Sequence, residues 1–283
     1  PTQTINITKD QESYELNIEN EKKQGQVITH YYIEGTEEKV PSNIEGETVE
    51  DVIKTGKVGD IYVTNEAQNV SSIYELVEIE GNTSGNIIDG TIEVIYYYRL
   101  KPMYSYTVEY YFDGVKDETL TDTKEARRDS QVETYEDKIK EGYVFEKTEN
   151  LPLTIVEDTS KNVIKVYYKS REDLQYRVEY YYDGKIDDSK TDTFNNIKFG
   201  TKIEDYEDKV IDGYTLQKEE NLPLTVGVDA EENVIKVYYV KRTDLSYTVN
   251  YLEKGTDTVL HTLKTVEGQT FGTQIESSSE VIS

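Results

Sequence analysis

Cysteine and tryptophan are absent from these 283 residues, methionine occurs once and histidine twice. Without cysteine there is no disulfide, no thiolate-bound zinc, no iron–sulfur cluster and no thiol nucleophile. Two histidines, His30 and His261, leave little room for imidazole acid–base chemistry or a multi-histidine metal centre. Positive charge is scarce, with 31 Lys+Arg against 57 Asp+Glu and a net charge of −26. Nucleic acid and anionic membranes are held through basic patches, so neither is an expected partner. No stretch approaches the ~20 apolar residues that would span a bilayer. The longest apolar β-rich run, residues 92–98, is strand-sized and carries Glu93. No charged-plus-apolar leader opens the chain. It starts at Pro1 and stops mid-pattern at Ser283, so it reads as a piece of a longer protein. Hydrophobic residues make up only 35%, too few for one large core, which predicts several small modules.

Tyrosine, by contrast, occurs 26 times, and much of it sits in repeats. YTVEYYFDG at 106–114 returns as YRVEYYYDG at 176–184 and more loosely as YTVNYLEKG at 247–255, spacings of 70 and 71 residues. YEDKIKEGY at 135–143 matches YEDKVIDGY at 206–214, ENLPLT at 149–154 matches 220–225, and NVIKVYY at 162–168 matches 233–239. The register slips by one residue between early and late matches, which places one insertion near 199–201. A ~70-residue period exceeds that of solenoids and suits a small unit that folds alone. The expected organisation is a 1–24 tail, a 25–101 module, repeats at 102–171 and 172–241, and a truncated repeat at 242–283. The joints KSRED and VKRTD are short, polar and free of Gly and Pro, which favours semi-rigid end-to-end stacking into an elongated, monomeric rod.

Within a repeat, Tyr106, Val108, Tyr110 and Phe112 alternate with Thr107, Glu109, Tyr111 and Asp113, the period-two signature of a half-buried strand. Asp113-Gly114 predicts a hairpin turn. A second strand is expected over 119–123, a short helix over 135–141 ended by Gly142, a strand from 143 to 147, a break at Pro152, and a last strand over 162–168. The predicted fold class is mainly β (α+β), in tandem modules of the β-grasp type. Most tyrosines are expected to pack the core with wet hydroxyls. Tyr111 and Tyr181, facing outward, are the alternative, as ligand-stacking residues.

Residues 25–100 carry TGKVGDIYVT, then GNTSG, then IEVIYYY. Gly56, Val58, Gly59, Asp60, Tyr62 and Thr64, with Gly81, Asn82, Ser84 and Gly85, and then Val94, Tyr96 and Tyr98, resemble the mucin-binding-protein (MucBP) repeat of Gram-positive surface proteins. The 70-residue units resemble related tandem repeats of wall-anchored adhesins, but lack the V-G-D and G-N-x-S-G segments. ELNIENEKKQG, before the first strand, is similar to the closing strand of Cna-B domains, which makes Asn20 the candidate for an amide bond to a lysine upstream of Pro1; a plain strand and linker is the other reading. The resemblance implies an extracellular, cell-wall-attached protein of a Gram-positive bacterium, with host glycoprotein or glycan, mucin by analogy, as partner.

Other chemistry is thinly supported. No G-x-S-x-G, phosphate loop or H-E-x-x-H occurs, and a ~70-residue unit offers little room for a two-carboxylate sugar cleft, so no catalytic residue is expected. Asp183, Asp187 and Asp188 cluster, as do Asp229, Glu231 and Glu232, but no D-x-D-x-D-G loop is present; Ca²⁺ ligands and ordinary charged turns are the two readings, and no other cofactor is expected. LPLT at 151–154 and 222–225 lacks the glycine of a sortase signal and reads as a turn into a strand. Asn6, Asn69 and Asn82 head N-x-S/T triplets, meaningful only in a eukaryotic secreted protein. Two function classes follow: adhesion to host glycoprotein, and a structural spacer projecting a separate binding domain. A net charge of −26 would repel sialated or sulfated mucin, so adhesion needs a locally neutral pocket, a bridging cation or a neutral glycan.

Overall fold

The computed structural model describes residues 17–276 continuously, with 4, 6, 7, 9 and 13 before them. The Cna-B-like tail and the end of the third repeat therefore lie partly outside the described residues. Contacts divide the chain into two compact units: 1–107 with 123–134 and 152–163, and 108–122 with 135–151 and 164–283.

Alternating strands make up nearly all the regular structure. In the first stretch, β1 (Gln24–Ile33), β2 (Val52–Lys57), β4 (Tyr74–Glu80) and β6 (Thr91–Leu100) form a sheet in the order β2-β1-β6-β4, while β3 (Ile61–Val63) pairs β5 (Ser84–Asn86). The first and last strands, β1 and β6, lie side by side and parallel; their outer neighbours are antiparallel. The alternation puts Val27, Tyr31, Val94, Tyr96 and Tyr98 on one buried face, joined by Val40, Val49, Tyr62 and Ile87.

The first repeat has β7 (Met103–Phe112), β8 (Val115–Lys116), β9 (Asp122–Arg127), β10 (Gln131–Val132), β11 (Tyr143–Glu149), β12 (Leu153–Thr154) and β13 (Val163–Ser170). The second has β14 (Leu174–Tyr182), β15 (Lys185–Ile186), β16 (Asp192–Ile197), β17 (Lys202–Ile203), β18 (Tyr214–Glu220), β19 (Leu224–Thr225) and β20 (Val234–Lys241). The sheets run β11-β13-β7-β8 with β9 on β7, and β18-β20-β14-β15 with β16 on β14, each with a two-stranded annex, β10-β12 or β17-β19. Again the first strand, β14, pairs in parallel with the last, β20. This is a small mixed sheet, so the chain is mainly β, as predicted; the helix that a β-grasp unit would pack on that sheet is absent among the described residues. The core of the second repeat comes from its own residues, Leu174 to Tyr180 on β14, Leu224, Val226, and Ile235, Val237 and Tyr239. The third repeat contributes a hairpin, β21 (Leu245–Leu252) with β22 (Val259–Gln269).

The first sheet shares details with the repeats that its sequence hides. A bulge interrupts the β4–β6 ladder at Leu76/Glu78, the β11–β13 ladder at Phe145/Lys147 and the β18–β20 ladder at Leu216/Lys218. The turn after the second long strand takes a left-handed residue at Gly59, Asp129, Gly200 and Gly272. Residues 25–101 thus use the same module as the repeats.

Three expectations need correction. The second strand starts later, at Asp122, because Asp117 takes the N–H and hydroxyl of Thr119 into a turn at 3.0 and 2.6 Å. The inserted residue is not at 199–201: the β14–β16 register shifts between Leu174 and Gln175, opposite a left-handed Asn196 (φ 57°), so a bulge absorbs it. And residues 135–141 form no helix; the one helical turn among the described residues is a 3-10 turn, Thr159–Lys161. A seven-residue helix is weak on its own, and tyrosine hydroxyls claim the backbone here. Tyr110 donates to Glu136 O at 2.5 Å, and Tyr168 donates to the Asp137 carboxylate. In the second repeat Tyr180 donates to Glu207 O at 2.5 Å and Tyr182 to Lys209 O at 2.6 Å, while Lys209 N donates to the Tyr239 hydroxyl at 3.2 Å. Tyr31 and Tyr98 do the same for Asn65 O and Ala67 N in the first module. The segment is an extended strap tied over the sheet by its tyrosines.

Candidate binding surfaces

A groove of ≈ 500 Å³ opens in the first module. Its floor is β1, where Val27, Thr29 and Tyr31 point the same way, and its walls are residues 47–50, β2 and the strap at 63–69. It opens where the strap carries Ala67. Ala67 stands where the second repeat has Lys209, whose ammonium reaches Asp192 at 2.6 Å and lies 4.8 Å from the Tyr180 ring centre, filling the equivalent space. Asn65, Gln68 and Asn69 line the groove beside Val49, Val52 and Val63, with Glu47, Glu50 and Lys54 at its sides. Glu47, Glu50 and Glu66 against Lys54 leave the lining acidic overall, while its amides and aliphatic walls suit a neutral polar ligand. No sequence pattern marked these residues, since the groove depends on what the strap lacks.

The residues that carry the MucBP resemblance are placed as structural parts rather than groove lining, with Thr64 the exception. Asp60 accepts from Lys57 N at 2.9 Å and closes the turn before β3. Gly85 lies against the Tyr62 ring, where an added Cβ would stand 3.1 Å from it. Tyr62 is buried and donates to Asn82 O at 3.1 Å. Val94, Tyr96 and Tyr98 are core, and burial pushes the Tyr98 phenol up to about 12.

On the open faces of the repeats, Tyr111 and Tyr181 hold matching positions. Tyr111 stacks on Tyr167 at 4.9 Å and donates to Glu109 at 2.8 Å; Tyr181 stacks on Tyr238 at 4.7 Å and donates to Glu179 at 2.8 Å. The hydrogen bond to Glu109, with burial, raises Tyr111 to about 12; burial first, then Glu179, does the same for Tyr181. Lys147 and Lys218 cover the Tyr167 and Tyr238 rings at 4.7 and 4.5 Å and pair with Glu149 and Glu220 at 2.6 Å. Each open face is therefore a belt of rings and charges that already bind one another.

The structure does not bring Asp183, Asp187 and Asp188 together as ligands. Asp183 accepts from Lys241 N at 3.2 Å and from the Tyr214 hydroxyl at 3.1 Å, and Asp187 caps Ser189 N and Oγ at 3.1 and 2.6 Å. Among the described residues no group of three or more His, Asp or Glu side chains is placed to hold a metal; Asp229 accepts from Glu231 N at 2.9 Å and Glu231 pairs with Arg177 at 3.3 Å. Asn20 lies exposed on irregular chain ahead of β1. Both LPLT strings lead into strand, with Leu153, Ile155, Leu224 and Val226 buried.

No family model matches the chain, and no curated protein matches it. A solved structure that resembles part of it holds Streptococcal High Identity Repeats in Tandem (SHIRT) domains 3-4 from a cell surface protein. The two are 15% identical over 52% of this chain and 98% of that one, with a TM-score of 0.22.

Proposed function

We propose that this chain is a non-catalytic segment of a bacterial surface protein, in which the repeats at 102–171 and 172–241 are stalk modules that hold a binding region away from the wall. One observation carries this reading: the two repeats share the same network on their open faces, and those faces are internally satisfied. Glu109-Tyr111-Tyr167-Glu149 in the first is Glu179-Tyr181-Tyr238-Glu220 in the second. A spacer needs a repeated fold with a quiet surface, and a net charge of −26 keeps such an array soluble and extended. Small-angle scattering on the chain and on a version with residues 172–241 duplicated tests it. The maximum dimension should grow by one fixed increment per added repeat; a globule that merely swells would contradict the reading.

The groove in the first module supports a second role alongside the first, binding of host glycoprotein or glycan, with mucin the candidate by resemblance. Its amide lining favours a neutral glycan over sialated or sulfated mucin, which the chain's charge repels. A glycan array probed at several salt and Ca²⁺ levels should show neutral glycans retained and Asn65→Ala reducing the signal. No retention under any condition would remove this role.

A further inference from the structure

The joints between modules share one design. Arg171, at the end of the first repeat, donates its N–H to Gly142 O of that repeat at 2.8 Å and its carbonyl accepts from Phe199 N of the next repeat at 2.8 Å. Its guanidinium is fixed by a two-pronged bond to Asp173, both arms 2.9 Å. The Phe199 ring then lies flat on Gly142, so that an added Cβ would stand 2.5 Å from three ring atoms, and meets Tyr143 edge-on at 5.8 Å. Gly142 is left-handed (φ 79°), which a side chain would also strain.

The next joint repeats every element. Arg242 N donates to Gly213 O at 2.8 Å, Phe271 N donates to Arg242 O at 2.9 Å, and Arg242 clasps Asp244 at 2.9 and 2.8 Å. Phe271 covers Gly213 (φ 81°) more closely still and meets Tyr214 at 6.3 Å. The joint ahead of the first repeat splits the backbone scheme between two neighbouring residues and changes the side chains. Lys101 N donates to Ile73 O at 2.9 Å, and Arg128 N donates to Pro102 O at 2.9 Å. Arg128 stands where the later copies have Phe199 and Phe271. It reaches no glycine; it pairs with Glu75, the counterpart of Val144, while Lys101 pairs with Asp129 at 3.0 Å.

We infer that this corner is a docking interface whose matching partner is another copy of the repeat, and that two positions set the match. Phenylalanine on glycine joins repeat to repeat; arginine on glutamate joins the first repeat to the module before it. The residue at the wedge position thus decides which module each one can follow. The contact is head to tail, so it does not close on itself and propagates along the chain. The inference concerns the joints alone and stands whether or not the repeats serve as a stalk.

The test uses the full chain, whose lack of cysteine allows spin labels at Glu146→Cys and Gln217→Cys, equivalent exposed positions in the two repeats. Pulsed dipolar spectroscopy should give one narrow distance. Phe199→Ala, Gly142→Val and Phe199→Arg should each broaden it, with circular dichroism confirming that the sheets persist. Phe271→Ala, at the other joint, should leave it unchanged. Adding Val144→Glu to Phe199→Arg rebuilds the ion pair of the first joint and should restore the narrow peak. A broad distribution in the parent, no change with the three joint variants, or a double variant as broad as Phe199→Arg alone would each overturn the inference.

Discussion

At the scale of single residues, tyrosine does two jobs that no other side chain could combine. Its ring fills the core, as with Tyr110, Tyr180 and Tyr239, which are fully buried, and its hydroxyl ties the strap at the rim. Burial comes first among the causes that raise the phenols of Tyr110, Tyr168, Tyr180 and Tyr239; nearby Asp122, Asp137, Asp192 and Asp208 add to it. The consequence for stability has a definite sign. A phenol whose folded pKa is raised contributes stability that is complete below the ordinary value of 10.0 and is lost as pH climbs through the folded value. The protein should therefore hold its melting temperature through neutral pH and lose it steeply above about pH 10. Tyrosinate absorbance, free of tryptophan interference, should show an early exposed fraction and a late fraction that appears only with unfolding. A single unperturbed titration would contradict the strap.

At the scale of elements, the strands were legible and the strap was not. Alternation in 106–112 and 162–168, and the Asp113-Gly114 turn, with φ of 49° and 79°, are local signals and came out as read. The strap failed because the pattern YEDKIKE looks helical, whereas bonds from hydroxyls on distant strands decide its conformation. Ile139 and Val210, its apolar residues, end up exposed. The bulge at Asn196 was readable as an insertion but not as a place, since only the ladder shows where a strand can absorb one residue. Another tie between elements escapes any motif. Asn233, 2% exposed, pairs its amide with both N and O of Gly227 at 2.8 Å and donates to Gln175 O at 3.0 Å, and Asn162 does the same for Val156 and Ser105. Each side chain acts as an extra strand residue that fixes the loop after the annex to the first strand of its sheet. Asn233→Ala leaves several buried backbone groups unpaired and should cost roughly 2–3 kcal/mol. Thermal unfolding should show a midpoint lowered by roughly 10 °C for a unit of this size; a change within error would mean water replaces the amide without cost.

At the scale of the whole chain, composition spoke early and the groove spoke late. Scarce apolar residues and a 70-residue period point to small modules, and the strands form several small sheets, with first and last strands side by side in each of the three larger ones. The kinship of residues 25–101 with the repeats was hidden because turns and bulges are shared while side chains are not: Gly59 and Asp129 take the same left-handed turn with different residues. The groove was invisible for a related reason, since it appears only where a lysine is missing from a strap. If each repeat is a self-sufficient unit, its core needs nothing from its neighbours. The direct test is to express residues 172–241 alone and record the amide spectrum and the denaturant unfolding curve. A well-dispersed spectrum and one cooperative transition are predicted; a collapsed spectrum, with unfolding that lacks a transition, would contradict the modular account.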